Sequence, residues 1–497
     1  MKMYLLCLDS EGTIRQKNKI IPNLSELLKE FERVHTIPVL VTGLPKHIID
    51  KIYDNVYEFP YQILSNGSQI YDAKAKKIIF YKAIPNVFLQ FLIEKRDRYH
   101  FHLKVTVHGN EYTTLESEVN EHTTLISFDD ICKLSDYCQV YVMADSFVSL
   151  EEKKKRISLF NSTTLNKKET QSFSKLVQEN KIEQIFNFVM FIEMKNLREE
   201  ILDFGGIRIS NDSLDGYSFK HTKEPFWFSI NEVSVTKENA LNVLSDYLKV
   251  KKDDIIVIGN DKNDMDMLSN NFYSITIKNP KKKINVKDGI SIRQKQLEFV
   301  LYYLLSYLFN GLSLYDFKCD IQKEKQTIPL ITRLSDSDED ISMIRFAARG
   351  IILNKNKEVI LFYKDRIGEI KLPGGGIEKK EKPLEAFIRE VKEETGCLLK
   401  DLSLIGYTIE RKTKNDFKQV SFVFQGEVTM DTKQLSLTDE EFYNWGKTKC
   451  LSIEETLYNF KNAKKKLKNL DSMELYHEQF IVERDYHIFK FFKKVSR

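Results

Sequence analysis

The segment Tyr4-Leu5-Leu6-Cys7-Leu8-Asp9-Ser10-Glu11-Gly12-Thr13 decides the first fold of this chain, because a short apolar run ends abruptly in a polar turn. Two later segments have the same form: Pro38–Val41 leads into Thr42-Gly43, and Ile255–Ile258 leads into Gly259-Asn260-Asp261-Lys262-Asn263-Asp264. Apolar strands that alternate with helical patterns are typical of a parallel sheet covered on both faces. Such sheets bind ligands at the carboxyl ends of their strands, so we predict that these polar segments share one site.

The polar segments contain the groups that phosphoryl transfer needs. The Asp9 carboxylate can accept a phosphoryl group, and Glu11 can protonate the leaving oxygen and then activate water. The Thr42 hydroxyl can hold phosphate oxygens, as can the Lys237 ammonium at the start of an amphipathic helix. The loop after the third strand can complete a Mg²⁺ site with Asp9. The candidate ligands beside Asp9 are Glu11, Asn260, Asp261 and Asp264.

Four motifs are present in chain order: the turns after Leu8, after Val41 and after Ile258, and, before the last of these, the helix start at Lys237. Together they resemble the motifs of the haloacid dehalogenase superfamily, and most closely those of the Cof-type phosphatases, whose cap is inserted between the second and third motifs. Residues 64–68 (Leu-Ser-Asn-Gly-Ser) and 70–72 (Ile-Tyr-Asp) add to the resemblance. It implies Mg²⁺-dependent phosphomonoester hydrolysis with Asp9 as nucleophile, in a pocket shaped by the cap. We therefore predict a Rossmann-like core over residues 1–84 and 222–310 and an α+β cap over residues 85–221.

Two residues depart from the pattern of that family. Glu11 replaces the usual aspartate, and Asn260 replaces the aspartate that usually follows the glycine. The extra methylene of Glu11 can displace its carboxyl by about an ångström, and a misplacement of that size can cost about a hundredfold in rate. Asn260 offers an oxygen to a metal but no charge. The first domain is therefore either a working phosphatase or a degenerate domain used for regulation.

A second motif occupies residues 372–397, Leu-Pro-Gly-Gly-Gly-Ile-Glu-Lys-Lys-Glu-Lys-Pro-Leu-Glu-Ala-Phe-Ile-Arg-Glu-Val-Lys-Glu-Glu-Thr-Gly-Cys. A glycine-rich turn precedes a helix, which Pro383 suits at its start and Gly396 at its end. Like charges on one arc destabilise a helix unless a cation lies between them, and carboxylate oxygens favour Mg²⁺ or Mn²⁺. Three glutamates of this helix share one arc: Glu390, Glu393 and Glu394.

Taken alone, these glutamates could equally be a charged solvent face. With its glycines, however, the segment resembles the Nudix box, Gly-x5-Glu-x7-Arg-Glu-U-x-Glu-Glu-x-Gly-U with U apolar. The residues at its defined positions are Gly375, Glu381, Arg389, Glu390, Val391, Glu393, Glu394, Gly396 and Cys397. The resemblance implies an α/β/α sandwich over residues 341–497 that hydrolyses a nucleoside diphosphate linked to another moiety. It also implies that the three glutamates bind metal, that Arg389 positions a glutamate, and that Glu440 or Glu441 adds a ligand or base.

Three other patterns bear on domain organisation. The acidic stretch Ser335–Asp340 predicts a linker, which we place over residues 311–340. The apolar run Phe299–Phe309 is shorter than the roughly 20 residues that span a bilayer, so we predict a buried helix. Strand-like alternation surrounds three aromatic residues that could stack on a nucleobase, and it favours a place in the sheet core. These residues are Tyr407, Phe422 and Phe424.

Composition narrows the class of partner. The chain has 76 basic and 72 acidic residues, a net charge of +4, and this balance gives no indication of a nucleic-acid partner. Six scattered cysteines and the absence of a signal-peptide layout favour a reduced, cytoplasmic setting. We therefore expect small phosphorylated metabolites or nucleotides as partners, and neither nucleic acid nor membrane.

The leading interpretation is a multidomain α/β, bifunctional Mg²⁺-dependent hydrolase that cleaves diphosphates at its Nudix site and phosphomonoesters at Asp9. The alternative is a Nudix pyrophosphohydrolase whose first domain is degenerate and regulatory, which the identities of Glu11 and Asn260 favour. A third interpretation, a sensor in which neither site turns over, is disfavoured by the intact Nudix box.

Overall fold

The computed structural model describes residues 2–146, 148–214, 226–269, 272–278, 286, 289–323, 328–337, 341, 343–365, 369–467 and 473–495. The chain divides into two compact units. One contains the residues up to Ser25 and His35–Ser291, and the other contains Glu26–Val34 and the residues from Ile292 onward. Each unit is described by itself below.

A mixed sheet forms the core of the first unit. Its strands are β1 (Tyr4–Asp9), β4 (Thr36–Val41), β5 (Tyr61–Leu64), β6 (Gln69–Asp72), β7 (Lys77–Tyr81), β14 (Ile255–Gly259), β15 (Tyr273–Ile277) and β16 (Ile290–Ile292). The strand order is β16-β15-β14-β1-β4-β5-β6-β7, and β1 lies parallel to both β4 and β14. The three predicted apolar strands are thus neighbours, and their polar ends meet at one edge of the sheet.

Short elements surround this sheet. The pair β2 (Arg15–Gln16) and β3 (Lys19–Ile20) forms a small hairpin after β1. The helices along these parts of the chain are α1 (Leu24–Arg33), α2 (Lys46–Tyr53), α8 (Lys237–Leu248) and α9 (Met265–Ser269). Leu241 and Leu244 of α8 pack with Val257 of β14 in the buried core. Most of α1 belongs to the second unit, where its Glu26 accepts hydrogen bonds from Arg411 and pairs with Lys418.

The inserted cap is a second, antiparallel-rich sheet covered by helices. Its strands are β8 (Phe101–Val107), β9 (Asn110–Thr113), β10 (Thr123–Leu125), β11 (Tyr137–Ala144), β12 (Ile207–Asp212) and β13 (Trp227–Glu232), in the order β10-β9-β8-β11-β13-β12. Its helices are α3 (Val87–Tyr99), α4 (Phe128–Ile131), α5 (Leu150–Leu159), α6 (Lys167–Gln178) and α7 (Ile182–Phe204). The predicted end of the cap at residue 221 is wrong, because β13 lies between β11 and β12 and pairs Ile230 with Val140. The cap therefore continues to Glu232.

The second unit is built on a mixed sheet. Its strands are β17 (Leu330–Ser335), β18 (Met343–Leu353), β19 (Val359–Lys364), β20 (Glu369–Lys371), β21 (Gly374–Gly376), β22 (Cys397–Lys412), β23 (Phe417–Asp431) and β24 (Gly446–Leu451). The order is β17-β22-β23-β18-β19-β20, with β21 paired to β18 and β24 to β19. The helices are α10 (Leu297–Phe309), α11 (Leu314–Ile321), α12 (Pro383–Thr395), α13 (Asp439–Tyr443), α14 (Ile453–Leu467) and α15 (Met473–Val495).

Helices cover both faces of this sheet. Successive residues of a strand point to opposite faces, so Val423 and Phe424 of β23 mark the two sides. Phe387 of α12 stacks on Phe424 with ring centroids 5.3 Å apart. Phe460 of α14 and Phe489 of α15 join the core cluster that contains Val423. The predicted α/β/α sandwich is therefore present.

The predicted linker over residues 311–340 is wrong for most of its length. The α11 helix lies within it, and β17 adds an edge strand to the second sheet by pairing in parallel with β22. The side chains of β17 are only half-buried, so its sequence lacks the continuous apolar run that marks an inner strand. Residues 338–340 of the acidic stretch lie outside the described residues.

The predicted end of the first domain at residue 310 is also wrong, because α10 belongs to the second unit. Its Phe299 and Tyr303 contact Phe422 of β23, with ring centroids 6.3 and 5.1 Å apart. The helix has 13 residues and nearly all are buried, which confirms the predicted buried helix. Tyr407, Phe422 and Phe424 are at most 3% exposed, so they are core residues. Among the described ranges, no helix combines the length and apolarity needed to cross a membrane.

These contacts predict where the chain can be cut. We expect the fragment 292–497 to be more soluble and to melt at a higher temperature than the fragment 341–497, which lacks α10, α11 and β17. Each large apolar side chain that loses its burial costs about 1.5–3 kcal/mol, against a total stability of about 5–15 kcal/mol. The measurement is soluble yield and thermal unfolding by circular dichroism. Both fragments lack Glu26–Val34, so that loss is matched, and equal stability would contradict the assignment of β17 and α10 to this unit.

Two candidate active sites

The first site brings together three charged side chains from different elements. Asp9 ends β1, Lys237 is the first residue of α8, and Asp264 lies in the turn after β14. The Lys237 Nζ lies 2.8 Å from Asp9 Oδ1 and 2.5 Å from Asp264 Oδ1. All three residues are at most 5% exposed. Burial and the charge of Asp264 raise the pKa of Asp9, while Lys237 opposes that shift.

The turn after β14 is built around Asp264. Its Oδ2 accepts hydrogen bonds from the backbone N–H groups of Asn260 and Asp261, at 2.8 and 2.9 Å. The Asp261 side chain instead caps the short helical turn by accepting from the backbone N–H of Lys262. Asp264 is therefore held inward by two main-chain donors, and Asp261 lies at the rim of the turn.

The Asn260 side chain faces Asp9. With its amide oriented to suit its neighbours, the nitrogen donates to the Glu11 carbonyl at 2.8 Å, to Asp9 Oδ2 at 3.1 Å and to Thr13 Oγ1 at 3.2 Å. A Cβ on Gly12, whose φ is +82°, would lie 2.1 Å from the nearer polar atom of this amide. Glycine at this position therefore allows the turn after β14 to pack against the turn after β1.

The Glu11 side chain is turned away from the site. Its Oε1 accepts a hydrogen bond from Arg15 Nη1, and half of the side chain is exposed. Arg15 also donates to Asn18 Oδ1 at 2.7 Å, which anchors the arginine in the hairpin. The prediction that the Glu11 carboxyl sits beside Asp9 as acid and ligand is therefore wrong for this conformation. Its longer side chain reaches the cation of the following hairpin, and only its main-chain carbonyl faces the site.

Thr42 lies where predicted, at the end of β4 next to β1. It is 2% exposed, and its hydroxyl accepts a hydrogen bond from the Leu44 N–H at 3.2 Å. Cap residues reach the same loop, because Gln139 of β11 donates to the Gly43 carbonyl at 3.3 Å. Asn231 of β13 donates to the Ser65 carbonyl at 3.1 Å. The cap thus closes over the second-motif loop.

The second site is organised by Arg389 on α12. Its guanidinium donates to both carboxylate oxygens of Glu381, at 2.8 and 3.0 Å, and to the Gly376 carbonyl at 2.9 Å. Its Nη1 also donates to Glu390 and to Glu393, each at 2.9 Å. One arginine therefore connects the glycine turn to two of the three glutamates on the helix arc. The Nudix resemblance implies a positioning role for Arg389, and that role stays a prediction.

Glu394 is placed differently from its neighbours on α12. Its Oε2 accepts from the Gly374 N–H at 2.9 Å, and its Oε1 lies 2.6 Å from Lys371 Nζ. Glu394 is therefore a buried carboxylate, only 2% exposed. Burial raises its pKa to about 7, although Lys371 and the Gly374 N–H oppose the shift. Lys371 also lies 3.4 Å from Glu441, so it bridges the two carboxylates.

The glycine turn allows the helix to approach the sheet. Gly374 has a φ of +142°, and a Cβ there would lie 2.3 Å from the Ala348 carbonyl oxygen. A Cβ on Gly375 would lie 2.4 Å from the Glu390 carboxylate. Both glycines are therefore required by close approach of the neighbouring groups. The turn, together with Glu390 and Glu394, lines a cleft of about 960 Å³.

The two later glutamates have separate environments. Glu441 points to Lys371, and Glu440 pairs with Lys364 at 2.8 Å while remaining largely exposed. Both line the cleft. Of these two residues, only Glu441 shares a cation with Glu394.

Each site offers a donor set suited to a hard divalent cation. In the first, Asp9 Oδ2, the Glu11 carbonyl and the Asn260 amide converge, and rotation of that amide would bring its oxygen inward. In the second, Glu394 accepts from the glycine turn, Glu390 lies against Gly375, and Glu393 shares Arg389 with Glu390. Within the described residues no three acidic, histidine or cysteine side chains form a preassembled metal group. A lysine or arginine lies between the carboxylates in both sites.

Sequence reasoning missed two cations of the second site. Lys371 immediately precedes the Leu-Pro-Gly turn, and its position beside that motif was an available signal. Arg349 interrupts the apolar strand β18, is 5% exposed and lines the cleft. An arginine within a buried strand is uncommon enough to have drawn attention.

Comparison with known proteins gives one family match in each part of the chain. Residues 6–287 match the family described as haloacid dehalogenase-like hydrolase, and residues 343–471 match the NUDIX domain. An RNA pyrophosphohydrolase of Thioalkalivibrio sulfidiphilus (strain HL-EbGR7) is 46% identical over 61 residues, which are 12% of this chain and 35% of that relative. The chain thus spans only about a third of that relative's length. A "Probable DHNTP pyrophosphohydrolase" of Lactococcus lactis subsp. cremoris (strain MG1363) is 25% identical over 151 residues, 28% of this chain and 86% of the relative.

Solved structures similar to this chain include two of the same superfamily. BT1666 of Bacteroides thetaiotaomicron, a phosphatase of the haloalkanoate enzyme superfamily, has a TM-score of 0.40 and 15% identity, and the match covers 62% of this chain and 96% of that one. A haloacid dehalogenase-like hydrolase from B. subtilis has a TM-score of 0.37 and 12% identity, covering 55% and 89%. Because the first family match covers more than half of the 497 residues, this chain belongs to the haloacid dehalogenase-like hydrolases, and it carries a Nudix domain in its C-terminal third.

Proposed function

We propose that the second unit is a Mg²⁺-dependent pyrophosphohydrolase of a nucleoside diphosphate derivative, with Mn²⁺ as a possible substitute. The observation that carries this proposal is the Arg389 hub, which holds Glu390 and Glu393 on the helix that carries the buried Glu394, with Glu390 and Glu394 lining one cleft. The similarity to two pyrophosphohydrolases supports it. Glu390, Glu393 and Glu394 would hold the cation, which when bound polarises the phosphate oxygens and makes water a stronger nucleophile.

The protein's own groups perform the remaining tasks at this site. Arg389 keeps two carboxylates at fixed positions despite their mutual repulsion. The Gly374 N–H orients Glu394, and Lys371 neutralises Glu394 and Glu441 before substrate enters. A glutamate whose pKa is raised to about 7 by burial is also poised to exchange a proton near neutral pH.

For the first unit we propose phosphomonoester hydrolysis through an aspartyl phosphate on Asp9. The Asp9 carboxylate oxygen attacks phosphorus, the bond to the ester oxygen breaks, and that oxygen takes a proton from Glu11 or from solvent. Water then attacks phosphorus of the acyl phosphate, which releases inorganic phosphate and restores the Asp9 carboxylate. Asp9, the Glu11 carbonyl, Asn260 and Asp264 would surround the Mg²⁺ ion. Lys237 holds Asp9 and offers positive charge to the phosphate oxygens, and Thr42 offers a hydroxyl.

A regulatory, inactive first unit is the second candidate, and one observation favours it. The Glu11 carboxyl, which the phosphatase reaction needs as its proton donor, is paired with Arg15 outside the site. The two candidates differ in whether residues of the first unit release phosphate from any monoester.

The Nudix assignment predicts the effect of Glu394→Gln. The amide can still accept from the Gly374 N–H but lacks the charge that a cation needs, so diphosphate hydrolysis should fall by about 100-fold or more, or about 2.7 kcal/mol on the transition-state scale. The matched control is Glu385→Gln, the same change at an exposed position of α12. The assay scores pyrophosphate-bond cleavage over a panel of nucleotide derivatives with Mg²⁺. A rate within about threefold of wild type would contradict the assignment.

The covalent mechanism predicts the effect of Asp9→Asn in the full chain. The amide cannot attack phosphorus, so Mg²⁺-dependent phosphate release from an aryl phosphate should disappear. Diphosphate hydrolysis should stay at the wild-type rate, since its residues lie in the other unit. Phosphate release that survives the change would overturn Asp9 as nucleophile. Absence of release from wild type under the same conditions would favour the regulatory candidate.

The outward position of Glu11 predicts a phosphatase limited by protonation of its leaving group. We expect wild type to hydrolyse an aryl phosphate far faster than an alkyl phosphate, because only the alkoxide needs a proton to leave. In Glu11→Asp the shorter carboxyl loses its reach to Arg15, and the alkyl rate should rise, with a ceiling near the ~10²–10⁴-fold of positioned acid catalysts. Glu58→Asp, at an exposed position of the same unit, is the control. A lower rate on both esters would show that the site uses glutamate as it stands.

A further inference from the structure

The inner wall of the Nudix cleft contains a set of buried charges that neither site motif explains. Arg484 of α15 donates from Nε to Asp485 Oδ1 at 2.7 Å and from Nη1 to Glu410 Oε1 at 3.2 Å. Glu410 also lies 3.4 Å from Lys412, and Asp485 accepts from the Leu372 N–H at 2.8 Å. Each buried carboxylate of this set therefore has cationic or main-chain partners. Arg484 and Lys412 line the cleft.

Arg349 is the cation of this wall that lacks a counterion. It is 5% exposed, its Nε has no hydrogen-bond partner among the described residues, and none of the ion pairs among those residues includes it. Arg484 likewise has one nitrogen, Nη2, without a hydrogen-bond partner in the described part of the chain. Both arginines line the cleft, so their unused donors are available to a molecule bound there.

An unpaired buried guanidinium is costly for a fold. The nearby carboxylates of Asp485, Glu410 and Glu394 offset part of this cost, but the Arg349 Nε makes no hydrogen bond to the described residues. Burial and the nearby Arg484 lower the pKa of Arg349 to about 10, so it still carries its charge at neutral pH. A methionine would fill the same strand position without that penalty. The charge is therefore better explained by an anionic ligand than by stability of the free protein.

The position of Arg349 indicates which part of the ligand it meets. Arg349 of β18 is the register partner of Gly374 of β21. The Gly374 N–H is the donor that orients Glu394. The Arg349 side chain is therefore attached to the backbone next to the turn that orients Glu394, one of the proposed metal-binding carboxylates. The other cations near those carboxylates, Lys371 and Arg389, are already paired with glutamates.

We propose that Arg349, with the free Nη2 of Arg484, binds a phosphate group of the substrate beyond the two phosphates of the scissile diphosphate. This inference rests on the proposed Nudix activity and narrows its substrate class. The preferred substrate is a linear triphosphate ester of the nucleoside triphosphate class, in place of a diphosphate joined to a neutral group. A planar guanidinium matches phosphate oxygens with two parallel hydrogen bonds, which suits such a subsite.

Binding of inorganic tripolyphosphate to the full chain tests the subsite without turnover. In buffer free of divalent cations, we expect tripolyphosphate to raise the melting temperature of wild type, and Arg349→Met to bind it at least about tenfold more weakly. Arg333→Met, an arginine of β17 outside the cleft, removes the same charge and should bind as wild type does. Equal binding by wild type and Arg349→Met would overturn the subsite, even if the enzyme proves active.

Stability without ligand supplies a second readout. We expect Arg349→Met to melt at or above the wild-type temperature, because it removes an unpaired buried charge. Arg484→Met should melt lower, because it leaves Glu410 and Asp485 without their main cation. If Arg349→Met melts as low as Arg484→Met, the charge serves the fold, and the proposal is wrong.

Kinetics then test the substrate class. With Mg²⁺, Arg349→Met should raise KM for a nucleoside triphosphate about tenfold or more, while KM for a nucleoside diphosphate joined to a neutral sugar changes less than threefold. An equal loss on both substrates would mean that Arg349 contacts the scissile diphosphate, which would overturn the triphosphate class. If wild type cleaves neither substrate, the proposed Nudix function fails, and tripolyphosphate binding still decides whether the anion subsite exists.

Discussion

Carboxylates cannot be crowded into a buried site unless a cation separates them, and both active sites of this chain obey that constraint. In the first unit the Lys237 ammonium lies between Asp9 and Asp264. In the second, Lys371 lies between Glu394 and Glu441. Since these partners come from different elements, each pairing holds strand ends, turns and a helix in one arrangement. The glycines beside them are required because charged groups approach the backbone so closely.

The same constraint explains why acidic side chains are held in place in the second site, whereas one carboxyl has left the first site. In the Nudix site, Arg389 holds Glu390 and Glu393 from one guanidinium, so the carboxylates stay aligned without a metal. In the first site the Glu11 carboxyl has found its cation elsewhere, in Arg15 of the adjoining hairpin. A carboxylate pairs with the nearest accessible positive charge, and the methylene that glutamate has beyond aspartate allows the Glu11 carboxyl to reach Arg15. The Glu11 carboxyl can pair with Arg15 or turn toward Asp9, and the proposed phosphatase reaction requires the second position.

Arg349 is the exception that completes this account. The other buried charges of the set at the inner wall of the Nudix cleft, Arg484, Lys412, Glu410 and Asp485, form ion pairs with one another, whereas Arg349 forms none among the described residues. The absence of an ion pair at Arg349 is accounted for by the proposed binding of an anionic ligand in the cleft. In this proposal the unpaired charge of Arg349 favours substrates that carry a further phosphate group.

The sequence alone determined which chemical groups this protein uses and which strands deliver them. Asp9, Thr42 and Asp264 could be placed together because polar turns follow short apolar strands, and parallel strands end at a common edge. The three glutamates Glu390, Glu393 and Glu394 could be placed on one arc because helix spacing is a local property, and the Nudix resemblance added Arg389. Local patterns also predicted the buried run Phe299–Phe309, which lies in the helix Leu297–Phe309, and the core position of Phe422.

Only the tertiary structure decided what each group faces. Glu394 is buried because Lys371 and Gly374 meet it from another part of the chain, and Glu11 is exposed because Arg15 lies within its reach. The edge strand Leu330–Ser335 was missed because its half-buried residues carry no strong period, and its partner β22 lies more than sixty residues away. Burial, ion pairing and edge-strand partners depend on contacts between distant segments, and a one-dimensional pattern does not contain those contacts.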